Sequence, residues 1–148
     1  MNVVAIFDIG KTNKKVFLFN ENYQIVWEKS VILAETVDED GFPCENIVEL
    51  SQWVADRLTE LKELKEYILK AINFSTYGAS FVYVDEQGKS LTPLYNYLKP
   101  YPETLLEHFY PKYKGKKKFA VKTASPVLGS LNSGMQIYRL KEEKPDLF

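Results

Sequence analysis

Residues 3–19, VVAIFDIGKTNKKVFLF, decide the fold of this chain. Two apolar runs flank a short polar segment, a pattern typical of two neighbouring strands joined by a turn in which Gly10 supplies permissive backbone. Asp8 stands where the first strand becomes the turn, and Thr12 and Asn13 follow among three lysines. The segment predicts either an ordinary hairpin or a turn that binds phosphate, in which Asp8 holds a hydrated Mg²⁺.

Composition excludes several classes of protein. The 148 residues suit one domain with a real core, and a formal net charge of −1 argues against a nucleic-acid partner. The basic segment 112–118 is short, and we interpret it as a solvated turn rather than an anion-binding loop. Cys44 and His108 are the single cysteine and histidine. They disfavour a disulfide, a cysteine-based zinc site and a Ser-His-Asp mechanism.

No membrane partner is expected. The first apolar run is broken by Asp8 after five residues, so it does not resemble a signal peptide, and no run approaches the roughly 18 to 20 apolar residues of a membrane span. A cytoplasmic protein is the default expectation.

Periodicity predicts the elements after the first hairpin. Residues 23–33 alternate loosely and predict a third antiparallel strand. Residues 35–41 predict an acidic loop. From Asn46 onward, apolar residues recur at three- and four-residue steps, which predicts an amphipathic helix, and residues 67–74 predict the strand that follows it.

The acidic residues of the predicted loop are not assigned as catalytic. Asp38, Glu39 and Asp40 are expected to be solvated. Later in the chain, residues 81–84 predict an apolar strand, and residues 85–88 predict a hairpin turn.

Three segments carry a resemblance to a known family. The order Asp-x-Gly-x-Thr-(Asn/Ser)-x-(Lys/Arg) across residues 8–15 resembles the first phosphate motif of the sugar kinase, actin and Hsp70 superfamily. Residues 76–81, Thr-Tyr-Gly-Ala-Ser-Phe, resemble the FGGY family of carbohydrate kinases, and within it a Thr-Trp-Gly-x-x-Phe pattern of the rhamnulokinase-like arm. Residues 124–140 are similar to a family segment in which a Pro/Gly loop leads to an Asn-Ser-x-x-Gln-Leu helix.

The resemblance implies a fold that agrees with the order of the predicted elements. It is an α/β, ribonuclease-H-like (actin-like ATPase) domain, a mixed sheet with an antiparallel three-stranded meander and flanking helices. Residues 1–148 would form the N-terminal, sugar-binding side of such a kinase, incomplete and without the second nucleotide-binding domain.

The resemblance also implies an activity and roles for the matched residues. The activity is transfer of the γ-phosphate of ATP, with Mg²⁺, to a hydroxyl of a ketose or polyol. Any homo-oligomer is expected to form through the full-length protein. The implied roles are Mg²⁺ binding through water by Asp8, close backbone approach to phosphate at Gly10, phosphate binding by Thr12, Asn13 and Lys15, and stacking on the sugar by Tyr77.

Departures from the family pattern leave alternatives open. Lys11 replaces a small or hydroxyl residue and either contacts phosphate or points to solvent, and residues 97–99 stand where many members have Trp-x-Asp. The base aspartate is expected beyond the C-terminus, so no residue here is assigned as catalytic and the fragment alone is expected to be inactive. The alternatives are a non-catalytic phosphate- or sugar-binding or regulatory module, and a structural domain in which Asp8 and Thr12 form a satisfied turn.

Overall fold

The computed structural model describes residues 1–147, and the chain divides into two compact units. The first unit comprises Met1–Val37 and Pro43–Gly78, and the second comprises Asp38–Phe42 and the chain from Ala79 onward. The elements of the first unit are β1 (Asn2–Ile9), β2 (Lys14–Phe19), β3 (Ile25–Val31), β4 (Glu35–Val37), β5 (Pro43–Glu45), α1 (Ile47–Glu63) and β6 (Ile68–Thr76).

The main sheet of the first unit has the strand order β3-β2-β1-β6. β2 pairs antiparallel with β1 and β3, whereas β6 pairs parallel with β1 after the crossover through α1. The predicted mixed sheet is confirmed. The third strand is shorter than the predicted 23–33, because Tyr23 has a φ of 59° and Asn20 accepts hydrogen bonds from the amides of Asn22 and Gln24 in a turn.

The core of the first unit lies between β1 and α1. Alternate residues of β1 are buried, and the ring of Phe7 meets Trp53 of α1 edge-on with centroids 6.0 Å apart. The predicted helix is confirmed. It begins after Asn46, whose side-chain oxygen accepts a hydrogen bond from the Glu49 amide at 3.2 Å and so satisfies a free N–H of the first turn.

The predicted acidic loop 35–41 is partly wrong. Its first three residues form β4, which pairs antiparallel with β5. Two strands of three residues are too short to produce a readable alternation, and their pairing depends on the turn at residues 38–42, where Asp38 accepts backbone hydrogen bonds from Asp40 and Phe42.

The second unit is mainly helical. Its elements are α2 (Glu103–Phe109), a 3-10 helix (Tyr110–Tyr113), α3 (Lys116–Thr123), a 3-10 helix (Gly129–Leu131), α4 (Ser133–Glu143) and a 3-10 helix (Pro145–Leu147). Leu106, Tyr110 and Met135 form its buried core, and Phe109 packs against that core. No helix within residues 1–147 has the length and apolar composition that a bilayer crossing requires.

The predicted strand 81–84 is wrong. Within the described chain, this segment forms only one isolated bridge, between Val84 and Ser90. Val82 and Val84 stay 44% and 52% exposed, so no neighbouring strand covers them. The predicted turn at 85–88 is confirmed, because the Asp85 carboxylate accepts hydrogen bonds from the amides of Gln87 and Lys89.

Candidate functional site

The turn between β1 and β2 is built on a close backbone approach. The Gly10 amide donates a hydrogen bond to the Asn13 carbonyl oxygen at 2.9 Å. A Cβ at position 10 would lie 2.7 Å from the same oxygen, which is a steric clash with backbone. Glycine is therefore required at this position.

Asp8 lies at the carboxyl end of β1, where the sheet presents it beside two neighbours. It is in register with Lys15 of β2 and Ser75 of β6. Its side chain is partly exposed, and Thr12 and Asn13 are exposed. Within residues 1–147, the side chains of Asp8, Thr12 and Asn13 form no hydrogen bond or ion pair with other protein groups. One carboxylate, one hydroxyl and one amide thus remain available to a ligand at a single turn.

The donor set fits a hydrated magnesium ion. Mg²⁺ is commonly held by one or two carboxylates, several waters and substrate phosphates. Asp8 provides one such carboxylate, and no group of three or more His, Cys, Asp or Glu side chains in the described chain could enclose an ion. Lys15 has its ammonium 6.0 Å from the Phe17 ring centroid, on the register position next to Asp8.

Two lysines of the turn are engaged with the β4–β5 pair. Lys11 forms an ion pair with Glu35. Lys14 is 1% exposed and its ammonium lies 2.7 Å from the carboxylate of Glu45, which is 4% exposed. Glu35 and Glu45 are opposite each other in the β4–β5 ladder. Lys11, for which phosphate contact and solvent were both open, is bound to a protein carboxylate instead.

Tyr77 follows β6 and reaches the same carboxylate. Its amide donates to the Ile9 carbonyl at 3.0 Å, and its hydroxyl lies 3.2 Å from Oε2 of Glu45. The predicted stacking of this ring on a sugar remains a prediction. Sequence reasoning missed Lys14 and Glu45, because a buried lysine and a buried glutamate look like ordinary surface charges until the fold pairs them.

The second unit contains a cavity of about 90 Å³ with charged walls. The expectation that Asp38, Glu39 and Asp40 are solvated is wrong for Asp38, which is buried, and holds for Glu39 and Asp40, which are exposed. Lys99 forms salt bridges with Asp38, whose side chain is fully buried, and with Asp40, which is 61% exposed. Glu39 forms an ion pair with Lys144. The burial of Asp38 could not be predicted, because the lysines that meet this loop lie 61 and 105 residues away along the chain.

Burial and hydrogen bonds shift the pKa values of Asp38 and Tyr95 in the second unit. Burial alone would raise the pKa of Asp38, but the hydrogen bonds from Lys99 and from the Phe42 and Asp40 amides outweigh it and the pKa lies below 3.8. Burial raises the pKa of Tyr95 to about 12. The cavity therefore offers paired rather than free charges.

The predicted helix of the third family-like segment is confirmed as α4. The side chain of Asn132 holds the preceding loop. Its oxygen accepts a hydrogen bond from the Leu128 amide at 2.7 Å, and its nitrogen donates one to the Pro126 carbonyl at 3.0 Å. Gln136 donates to the carbonyls of Ala79 and Ser130. The polar residues of this motif thus organise the backbone of the second unit.

Comparisons with known proteins agree with this architecture. The model of the FGGY family of carbohydrate kinases, N-terminal domain, matches residues 3–148. No curated protein sequence matches the chain. The structure is similar to Plasmodium falciparum glycerol kinase with ADP, at 23% identity and a TM-score of 0.83 over 99% of this chain and 30% of that one.

Two structures from Lactobacillus acidophilus are also similar. Its ligand-bound xylulose kinase has 18% identity and a TM-score of 0.80 over 100% of this chain and 30% of that one. Its gluconate kinase has 18% identity and a TM-score of 0.80 over 99% and 30%. The chain spans about 30% of the length of these structures, which at such identities establish the fold alone. A rhamnulokinase-like subtype finds no support among them.

Proposed function

Because this chain belongs to the FGGY family of carbohydrate kinases, we propose that its protein transfers the γ-phosphate of ATP to a hydroxyl group of a ketose or polyol. The observation that carries the proposal is the turn at Gly10. It requires glycine, and among residues 1–147 the side chains of Asp8, Thr12 and Asn13 have no protein partner. Backbone amides and small polar side chains in a tight turn are suited to phosphate oxygens.

The residues of the turn would act by positioning and charge neutralisation, which do most of the work in phosphoryl transfer. Magnesium bound with ATP would neutralise phosphate charge. Asp8 would orient its water shell, while Thr12 and Asn13 would hydrogen-bond the γ-phosphate region and Lys15 would lie near the transferring group. Gly10 would allow the close approach of backbone to phosphate.

The substrate assignment rests on the family resemblance at residues 76–81. We propose a ketose, with rhamnulose and xylulose as the first candidates, and Tyr77 as the ring that stacks on the sugar face. A hydroxyl-rich substrate needs directional polar partners, and side chains that bind it by hydrogen bonds discriminate it strongly from analogues that lack a hydroxyl.

The test is an assay of sugar-dependent ADP release by the protein as its gene encodes it. Asp8→Ala is expected to lower kcat/KM at least about 100-fold, since it removes one preorganised electrostatic contact. Asp56→Ala changes an exposed aspartate on α1 and is the matched control, with activity expected at the wild-type level. Equal activity of Asp8→Ala and wild type would overturn the assignment of the turn.

We also propose that residues 1–148 alone are inactive, since no acid among them is assigned as the base that accepts the sugar proton. Sugar-dependent ADP formation by this segment alone, with contaminating kinases excluded, would contradict the proposal.

A non-catalytic binding or regulatory module is the second candidate. The observation that favours it is Lys99, which stands at the acidic position of the family's Trp-x-Asp pattern and is engaged by Asp38 and Asp40. Binding of Mg·ADP without turnover on any sugar would support this candidate over the kinase.

A further inference from the structure

Three segments of the first unit meet at the carboxylate of Glu45. Its Oε1 lies 2.7 Å from the ammonium of Lys14, at the start of β2, and its Oε2 lies 3.2 Å from the hydroxyl of Tyr77, after β6. Lys14 and Glu45 are 1% and 4% exposed, so this ion pair is screened from solvent. One buried carboxylate of β5 therefore contacts both Lys14, beside the turn, and Tyr77, after β6.

The same lysine also holds the backbone of the turn. The ammonium of Lys14 donates a hydrogen bond to the Lys11 carbonyl at 3.0 Å. The side chain of Lys11 pairs with Glu35, directly across the β4–β5 ladder from Glu45. The turn is thus attached to the β4–β5 pair at two points, and both attachments use lysines that flank Thr12 and Asn13.

A buried ion pair is a weak source of stability, because desolvation of the two charges offsets much of their attraction. An apolar pair of similar volume would stabilise the fold about as well. An ion pair with extra hydrogen bonds adds fixed directions, since each donor must point at its acceptor. The hydrogen bond from the Lys14 ammonium to the Lys11 carbonyl is one such directed contact, and it fixes the backbone of the turn.

We infer that Glu45 is a positioning residue for the candidate phosphate turn. It orients Lys14, which holds the turn backbone at Lys11, and it ties this arrangement to Tyr77 on the proposed sugar side. The inference rests on the proposed function for the ligand of the turn, but the positioning itself concerns the protein alone. Lys11 and Lys14 are held by Glu35 and Glu45, whereas Thr12 and Asn13 are exposed.

The experiment compares Glu45→Gln, Lys14→Met and the double variant Lys14→Met/Glu45→Gln in the protein as its gene encodes it. Leu61→Ala is the matched control, because it weakens the buried core of the first unit without touching the turn. Thermal unfolding, hydrogen exchange of peptides from residues 8–15, and calorimetric binding of Mg·ADP are measured for each variant.

Each single variant is expected to unfold at lower temperature, because it leaves one buried charge without its partner. Exchange across residues 8–15 is expected to rise about 10-fold more than in the control, and Mg·ADP affinity to fall about 10-fold, the scale seen when residues that orient ligand-binding groups are changed. The double variant removes both buried charges, so its unfolding temperature should recover.

The double variant decides the inference. Its exchange across residues 8–15 and its weak Mg·ADP binding should persist, because the hydrogen bond from Lys14 to the turn is still missing. Recovery of wild-type exchange and affinity together with stability would mean that the pair is merely structural, and would overturn the inference.

Failure of the proposed function is recognised separately. If the wild-type protein binds no Mg·ADP, the kinase proposal loses its ligand, whereas hydrogen exchange still reports whether Glu45 orders the turn. Tyr77→Phe provides a further check, because it keeps the ring and removes only the hydroxyl. Faster exchange across residues 8–15 in this variant supports the link between Tyr77 and the turn, and unchanged exchange contradicts it.

Discussion

At the residue scale, the chemistry of the first turn depends on a single missing Cβ. Gly10 was identified from sequence because a glycine between two apolar runs indicates a turn. The structure adds the physical reason: the backbone oxygen of Asn13 occupies the space that a Cβ at position 10 would need. The steric requirement arises from how residues 10–13 fold back on themselves.

Gly10→Ala is expected to lower the free energy of unfolding by about 1–3 kcal/mol, because the added methyl group clashes with backbone and not with a movable side chain. The measurement is urea unfolding of the variant and wild type, followed by Mg·ADP titration under conditions in which both are folded. Nucleotide affinity should fall along with stability.

Gly78→Ala is the control for this prediction. It lies in the same unit, and a Cβ there meets no atom within 4 Å. Its effect on unfolding should stay within about 0.5 kcal/mol. Equal effects at both glycines would show that the clash at Gly10 is relieved without cost.

At the element scale, long periodic segments were predictable and short ones were not. The 17 residues of α1 repeat the apolar spacing over several turns, so the sequence predicts this helix from Asn46 onward. β4 and β5 have three residues each and offer no such repetition. The apolar segment 81–84 was misread because strand composition alone does not supply a neighbouring strand to pair with.

The cap of α1 gives a prediction at this scale. Asn46→Ala is expected to cost about 1 kcal/mol of unfolding free energy, because the Glu49 amide loses the side-chain oxygen that it donates to. Chemical denaturation monitored by far-UV circular dichroism measures the loss.

Asn46→Asp keeps an accepting oxygen at the same position and adds a negative charge near the helix N-terminus, so stability should remain close to wild type. A loss in Asn46→Asp as large as in Asn46→Ala would indicate that the cap contributes little.

At the scale of the whole molecule, a net charge close to zero does not show which charged side chains are buried. The formal net charge of the chain is −1. Yet several charged side chains are withdrawn from solvent, among them Lys14, Asp38 and Glu45. Each sits against an opposite charge, since an isolated buried charge would be too costly to keep.

The ion pairs of Asp38 and Glu39 predict how stability depends on pH. Despite burial, hydrogen bonds with Lys99 and Lys144 lower the pKa values of Asp38 and Glu39 below 3.8 and 4.5. A carboxyl group with a lowered folded pKa stabilises the protein above its unfolded pKa, and this stabilisation is lost as the pH falls through the folded value. Melting temperature should therefore hold near pH 6 and fall progressively below about pH 4.5.

Asp38→Asn should lower the melting temperature at pH 6 and flatten its dependence on pH below 4.5, because one of the titrating groups is gone. Asp40→Asn is the matched control. Asp40 lies 2.6 Å from the same ammonium but is 61% exposed, so its pair contributes little and the acid limb should match wild type. A wild-type acid limb in Asp38→Asn would contradict the prediction.

The alkaline side follows the opposite sign. Burial would lower the pKa values of Lys99 and Lys144, but hydrogen bonds with Asp38 and Glu39 raise them above 10.5. Their stabilisation is complete below 10.5 and disappears as the pH rises through the folded values. The same melting series, extended above pH 10, should show this second decline.

The sequence by itself determined the features that depend on neighbours along the chain. These are the first hairpin with its glycine turn, the amphipathic α1 and the motifs that carry the family resemblance, because hydrophobic periodicity and turn chemistry act over a few residues. Only the tertiary structure decided the pairing of Glu45 with Tyr77 and of Asp38 with Lys99. These partners are 32 and 61 residues apart, and only the packed chain brings such distant polar groups out of water and against each other.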